Sequence, residues 1–220
     1  MTADTDFQVS VQAADSLLSM YAELRRARGL GARGRLDAQN EDLLWLPRSA
    51  VVAAISALDS YIHAVLNEKI PHALQANPVP EPLCKTMADL IPIKNANTFS
   101  LALPVIAGGN VIPYLSNKYK EETLSFLSYQ SPDKIIAGYA LIGYEDIFTR
   151  VSAIWPGPNS TSNDIKRQLA NYVKRRNQIA HEGDRDQHGQ ARHMQPRYAR
   201  DCKEFVANLV SRLNRVVYGI

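Results

Sequence analysis

Apolar residues in this chain recur every three or four positions in one segment after another, and nowhere do they alternate. A period near 3.6 gathers side chains on one side of an α-helix, whereas a half-buried strand needs a period of two. The chain is therefore expected to be all-α, a helical bundle of about five long helices with short ones inserted. The strongest segment, 46–66, carries Val51, Val52, Ile55, Leu58, Ile62 and Leu66 at helical spacing and should be the most buried helix. Pro47 fits it only in a first turn or at a kink.

Weaker stripes flank it. Val11, Ala14, Leu17, Leu18, Tyr21 and Leu24 predict a helix over 9–28, ended by Gly29, Gly31 and Gly34, and a basic, glycine-rich connection follows over 29–40. Between 70 and 104, Pro71, Pro78, Pro80, Pro82, Pro92 and Pro104 exclude a long uninterrupted helix, so short turns are expected there, 83–90 being the clearest. A charged helix is predicted over 111–130, and Ser131 with Pro132 reads as the cap and first turn of another carrying Ile135, Ile136, Tyr139 and Leu141. Ile147, Val151 and Trp155 mark a further helix, 156–163 a loop, and Phe205, Val206, Leu209, Val210, Leu213 and Val216 a closing helix over 197–217. The length suits one domain over 1–220.

Charge is unevenly spread. From Asp164 onward there are twelve lysines and arginines against six acids, while the first 163 residues carry thirteen against sixteen. A basic third of this kind favours the approach of polyanions, although arginines on a terminal helix also serve simply to solvate it. No apolar run suggests a bilayer span and no secretory leader is recognisable, so a cytoplasmic protein without membrane contact is expected. Cys84 and Cys202 read as two reduced thiols, buried or half-buried, and His181, His188 and His193 lie in too loop-like a stretch for a metal site; no metal and no cofactor is called for.

The chemistry gathers at 171–184, Asn-Tyr-Val-Lys-Arg-Arg-Asn-Gln-Ile-Ala-His-Glu-Gly-Asp. Ile165, Leu169, Tyr172, Val173, Ile179 and Ala180 form an apolar stripe, Arg176, Asn177 and His181 border it, and Gly183 is placed to end the helix. His181 then sits in the last turn, where free carbonyls and the helix dipole favour an imidazolium. A guanidinium that keeps its proton beside an imidazole that can move one suits a phosphodiester. Five helical positions turn Arg176 and His181 about 140° apart, so the pair meets only if the arginine reaches across or a second copy of the helix supplies the partner. Asp59, between Leu58 and Tyr61, either pairs with Arg176 or a neighbouring basic residue or lies exposed on the outer edge of its helix.

Arg176, the polar Asn177 and His181, together with the Glu182-Gly183-Asp184 that follows and the apolar helix 46–66, resemble the arginine–polar–histidine signature and early helix of the HEPN superfamily, in particular its RiboL-PSP-HEPN group, from about Leu17 to Val217. The resemblance implies a homodimer in which two motif helices meet, and a metal-independent endoribonuclease of the kind found among toxins and abortive-infection defence effectors. It makes Arg176 and His181 the catalytic pair on RNA, with Asn177 orienting the histidine or phosphate, Arg175 holding a neighbouring phosphate and Asp59 in support, under possible control by an antitoxin or neighbouring regulatory protein. The alternative is a non-catalytic dimer of the same type that binds RNA, nucleotide or a partner protein.

Overall fold

The computed structural model describes residues 3–31, 34–91, 95–157 and 160–219; parts of the expected 29–40 and 156–163 connections, and Pro92, lie outside them. The fold is all-α. Nine α-helices run in order among the described residues: α1 Ala3–Ala27, α2 Trp45–Ala73, α3 Glu81–Ala88, α4 Ala96–Ala107, α5 Val111–Glu122, α6 Pro132–Ala140, α7 Ile147–Ala153, α8 Ser162–His181 and α9 Pro196–Tyr218. A 3-10 segment, Ala38–Leu44, leads into α2 and another, Leu124–Phe126, follows α5. The chain divides into two compact units, Met1–Tyr61 with Phe148–Ile220, and Ile62–Ile147.

In the first unit the long helices follow their apolar stripes. α1 buries Phe7, Val11, Ala14 and Tyr21, but the next position inward is Arg25, while Leu24 is 41% exposed. Arg25 is tolerated there because its donors find acceptors: the Tyr21 hydroxyl at 2.8 Å, the Gly31 carbonyl, and the Gly34 carbonyl at 3.1 Å. It thereby ties down the connection after α1, over which Tyr21, Leu36 and Leu43 form a small buried cluster. α9 buries Ala199, Cys202, Phe205, Val206, Leu209, Val210 and Leu213, and Lys203 reaches Asp15 of α1 at 2.7 Å. Each fully buried leucine or isoleucine contributes roughly 1.5–3 kcal/mol.

α2 is entered at Trp45 through the 3-10 segment, with Pro47 in its first turn, where a missing amide donor costs nothing. Together the two segments, Ala38–Ala73, are long and apolar enough to cross a bilayer, contrary to the expectation of no such run; more than half of the apolar window is buried inside the protein, as in a core helix. Val51, Ala54, Ile55, Leu58, Ile62, Val65 and Leu66 are all inaccessible to solvent.

The second unit is built from shorter pieces. The helix predicted over 111–130 stops at Glu122, because Thr123 leaves the helical region and a 3-10 turn follows. α4 runs through Pro104 near its C-terminus, yet buries only Ala102. Ser131 caps α6 as expected, accepting from the Lys134 amide, and Gly138 is required there: a Cβ would stand 2.7 Å from the Tyr129 ring. Cys84, expected at least half-buried, is exposed on α3, while Cys202 is buried on α9.

Candidate active site at the end of α8

α8 opens on a reciprocal cap in which Thr161 Oγ1 accepts from the Asp164 amide and Asp164 Oδ2 accepts from the Thr161 amide, both at 3.2 Å. Its inner face buries Ile165, Leu169, Tyr172, Val173 and Ile179; Ala180, placed in the stripe by spacing, is exposed. The Tyr172 ring packs against Tyr198 and Phe205 of α9 with centroids 5.3 and 5.4 Å apart, so Tyr172 belongs to the core of this unit. The helix ends at His181. Gly183 and Asp184 both turn into the left-handed region, at φ 60° and 54°, and the Asp184 amide returns to the Gln178 carbonyl at 2.9 Å. Glycine enters that region freely, and aspartate is among the few side chains that tolerate it.

The turn drives Asp184 inward, where it is 1% exposed. Its Oδ2 accepts from Arg48 Nε of α2 at 2.5 Å and from Arg175 Nη2 at 2.9 Å, and Arg175 Nη1 lies 2.5 Å from Oδ1. Arg48 also donates to the Arg192 carbonyl at 2.8 Å and Arg175 to the His193 carbonyl at 3.0 Å. One carboxylate therefore holds two arginines and closes the loop after α8, whose arms meet in a single antiparallel bridge between Arg185 and Ala191. Burial draws the Arg175 pKa below its usual value, with Asp184 opposing the shift. Arg175, assigned by resemblance to a neighbouring phosphate, has its guanidinium engaged in this network instead.

Arg176 is one residue further round the helix and faces the other way. Its Nη1 lies 3.1 Å from Asn177 Oδ1, to which it donates, and 3.4 Å from His181 Nε2. Arginine has no acceptor, so this contact is a hydrogen bond only in the tautomer whose Nε2 carries the lone pair. Arg176 Nε is buried and has no hydrogen-bond partner among the described residues. Asn177 and His181 are exposed. The long side chain thus spans the rotation between positions 176 and 181 within one chain, and no second copy is needed for the pair to meet. Asp59 is half-buried on α2 and takes no part in the Arg176 contacts; the acid that does pair with a basic residue of the motif is Asp184.

Arg48 was not singled out from the sequence, and Asp184 was named only as the end of the motif segment, without a partner. Arg48 lies three residues before Val51 and seven before Ile55, in phase with the apolar stripe, and a cation in that register demands a buried anion. Among the described residues, no three histidines, cysteines or acids cluster closely enough to hold a metal ion.

The RiboL-PSP-HEPN family model matches residues 24–217, nearly the whole chain. The protein is an HEPN protein, and belongs to the RiboL-PSP-HEPN family. No curated protein and no solved structure matches it.

Proposed function

We propose that this protein is a metal-independent endoribonuclease whose cleavage site is the exposed end of α8. The observation that carries the reading is the Arg176 Nη1 to His181 Nε2 contact of 3.4 Å. The Nη groups of Arg176, next to an exposed imidazole, are placed to donate to a phosphate oxygen.

In the reaction, Arg176 leaves His181 Nε2 for the phosphate and the freed Nε2 takes the proton of a ribose 2′-hydroxyl; the 2′-oxygen bonds to the adjacent phosphorus, and the bond from phosphorus to the 5′-oxygen breaks. The proton is delivered to that leaving oxygen. The products carry a 2′,3′-cyclic phosphate and a 5′-hydroxyl. Arg176 stabilises the charge that builds on the phosphoryl oxygens, and Asn177 holds the guanidinium in place. Proton transfer by a positioned imidazole accounts for about 10²–10⁴-fold in rate. The basic balance from Asp164 onward draws the polyanion in.

HEPN membership suggests two further elements of this reading. One is a homodimer that apposes two α8 ends; since the α8 stripe is already buried within one unit, the apposed surfaces would be polar. The other is a place among toxins or abortive-infection effectors, held in check by an antitoxin or neighbouring protein in the cytoplasm.

Incubation of the purified protein with total RNA in excess EDTA tests the reading. RNA is expected to be cut into cyclic-phosphate fragments while DNA of the same sequence stays intact, and the protein is expected to sediment as a dimer at micromolar concentration. RNA left whole, with or without added divalent ions, would leave the non-catalytic binding module; a monomer that still cleaves would remove the composite dimer site.

A further inference from the structure

Away from the α8 site, the second unit leaves one apolar surface in water. Five of the ten large apolar side chains exposed among the described residues lie within 99–114: Phe99, Leu101, Leu103 and Ile106 of α4, and Tyr114 of α5. No charged residue stands between Lys94 and Lys118. A helix of twelve residues is marginal in water by itself, and Ala102 is the one residue that α4 buries. Monomers rarely leave an apolar patch of this kind without a use for it.

The face is built around a groove. At about 100° per residue, Phe99, Leu103 and Ile106 fall within roughly 60° of one another on one side of Ala102, and Leu101, 77% exposed, falls on the other. Between α4 and α5 lies a groove of about 140 Å³, walled by Ile91, Leu101, Val105, Ile106 and Tyr114. An apolar cavity of about that volume holds a benzene-sized group. Phe99 is not part of the wall, and its exposed ring can enter a groove other than its own. Lys118, at the rim, is already engaged: it donates to the Leu90 carbonyl at 3.0 Å and lies 3.8 Å from Glu122.

Charge selects what can cover this face. Residues 62–147 carry six lysines against eight acids, so neither a polyanion nor an anionic bilayer is drawn to the unit. A second copy meets no such obstacle, because an uncharged face brought against itself opposes no like charges. The five side chains leave on the order of 400 Å² of apolar surface in water, so two copies would bury about 800 Å² between them. That falls below a permanent interface, at roughly 1,200–2,000 Å², and suits weak, reversible association.

We propose that α4 is a self-association face, on which two copies of this chain meet antiparallel about a two-fold axis and the Phe99 ring of each enters the groove beside the other's α4. The contact is apolar, uncharged and concentration-dependent. It needs neither cleavage by His181 nor apposition of the α8 ends. Where the α8 ends also meet, a second self-complementary face extends dimers into tetramers or longer chains.

Sedimentation of the full-length wild type from about 1 to 300 µM tests the proposal. The mean mass is expected to rise with concentration, with a dissociation constant on the order of 10–100 µM, and to change little with salt, since no charge is paired. Phe99→Glu with Leu103→Glu in one chain, and Phe99→Lys with Leu103→Lys in another, are each expected to weaken association about tenfold or more, and an equimolar mixture of the two to regain it. All these substitutions fall on exposed side chains, and circular dichroism checks the fold. Phe99→Ala alone is expected to weaken association by about tenfold. A wild-type mass that stays constant over the range, or association undiminished in the folded Glu variant, overturns the proposal. Flotation of an unassociated wild type with phosphatidylcholine vesicles also overturns it and gives the face to a lipid surface. A dimer held at the α8 ends survives these substitutions, so failure of that apposition reads separately.

Discussion

Arg175 and Arg176 stand side by side in the sequence, and about 100° of helix rotation sends them to regions with opposite character. On the inner side, Arg175 joins Arg48 around the 1% exposed Asp184, every charge is paired, and the loop after α8 is clamped. On the outer side, Arg176 meets only Asn177 and a solvent-exposed His181 among the described residues. The difference teaches which arginine is structural and which is available for chemistry, a distinction that residue type and proximity to the motif do not make. It also orders the energetics: charges removed from water depend on one another, whereas exposed ones are separable.

The largest effect should follow from breaking the inner side. Asp184→Ala leaves Arg48 and Arg175 buried without their anion, and is expected to cost about 3–5 kcal/mol of stability in urea unfolding. A loss below about 1 kcal/mol, the range of surface pairs, would place the two regions on the same footing.

A smaller effect sharpens the contrast through pH. Behind α8, burial pushes Tyr198 up from 10.0 to about 12 and Cys202 from 9.0 to about 12. The folded state favours their neutral forms. The stability they contribute is therefore present in full below about pH 9, and is lost as pH rises from there through about 12. Unfolding midpoints should be flat across the neutral range and fall in alkali, and Cys202→Ala should delay the onset of the fall. A midpoint unchanged to pH 11 would contradict the burial of this side.

How much of this was legible depended on where each residue's partners lie. The helices of the first unit announced themselves because Val51, Ile55 and Leu58, or Phe205, Leu209 and Leu213, repeat at one period over many turns. The second unit was read less well: α5 ends eight residues before the expected Gln130, since charged residues and a single Thr123 give no periodic warning of a stop. Arg176, Asn177 and His181 were legible because they lie within one turn and a half of one helix, and the reach of the arginine across it was open to anticipation. The Arg48–Asp184 pair was not, because its members are separated by 136 positions and only the fold brings them together.

The central claim is that the outer side of α8 does chemistry while the inner side holds the fold. Cleavage of one defined oligoribonucleotide by wild type and by His181→Ala, with thermal unfolding of both proteins followed alongside, tests it most directly. The account predicts that His181→Ala loses about 10²–10⁴-fold in cleavage rate while its melting temperature stays within a degree or two, as expected for an exposed side chain away from the core. Cleavage at the wild-type rate by the folded His181→Ala protein would contradict it.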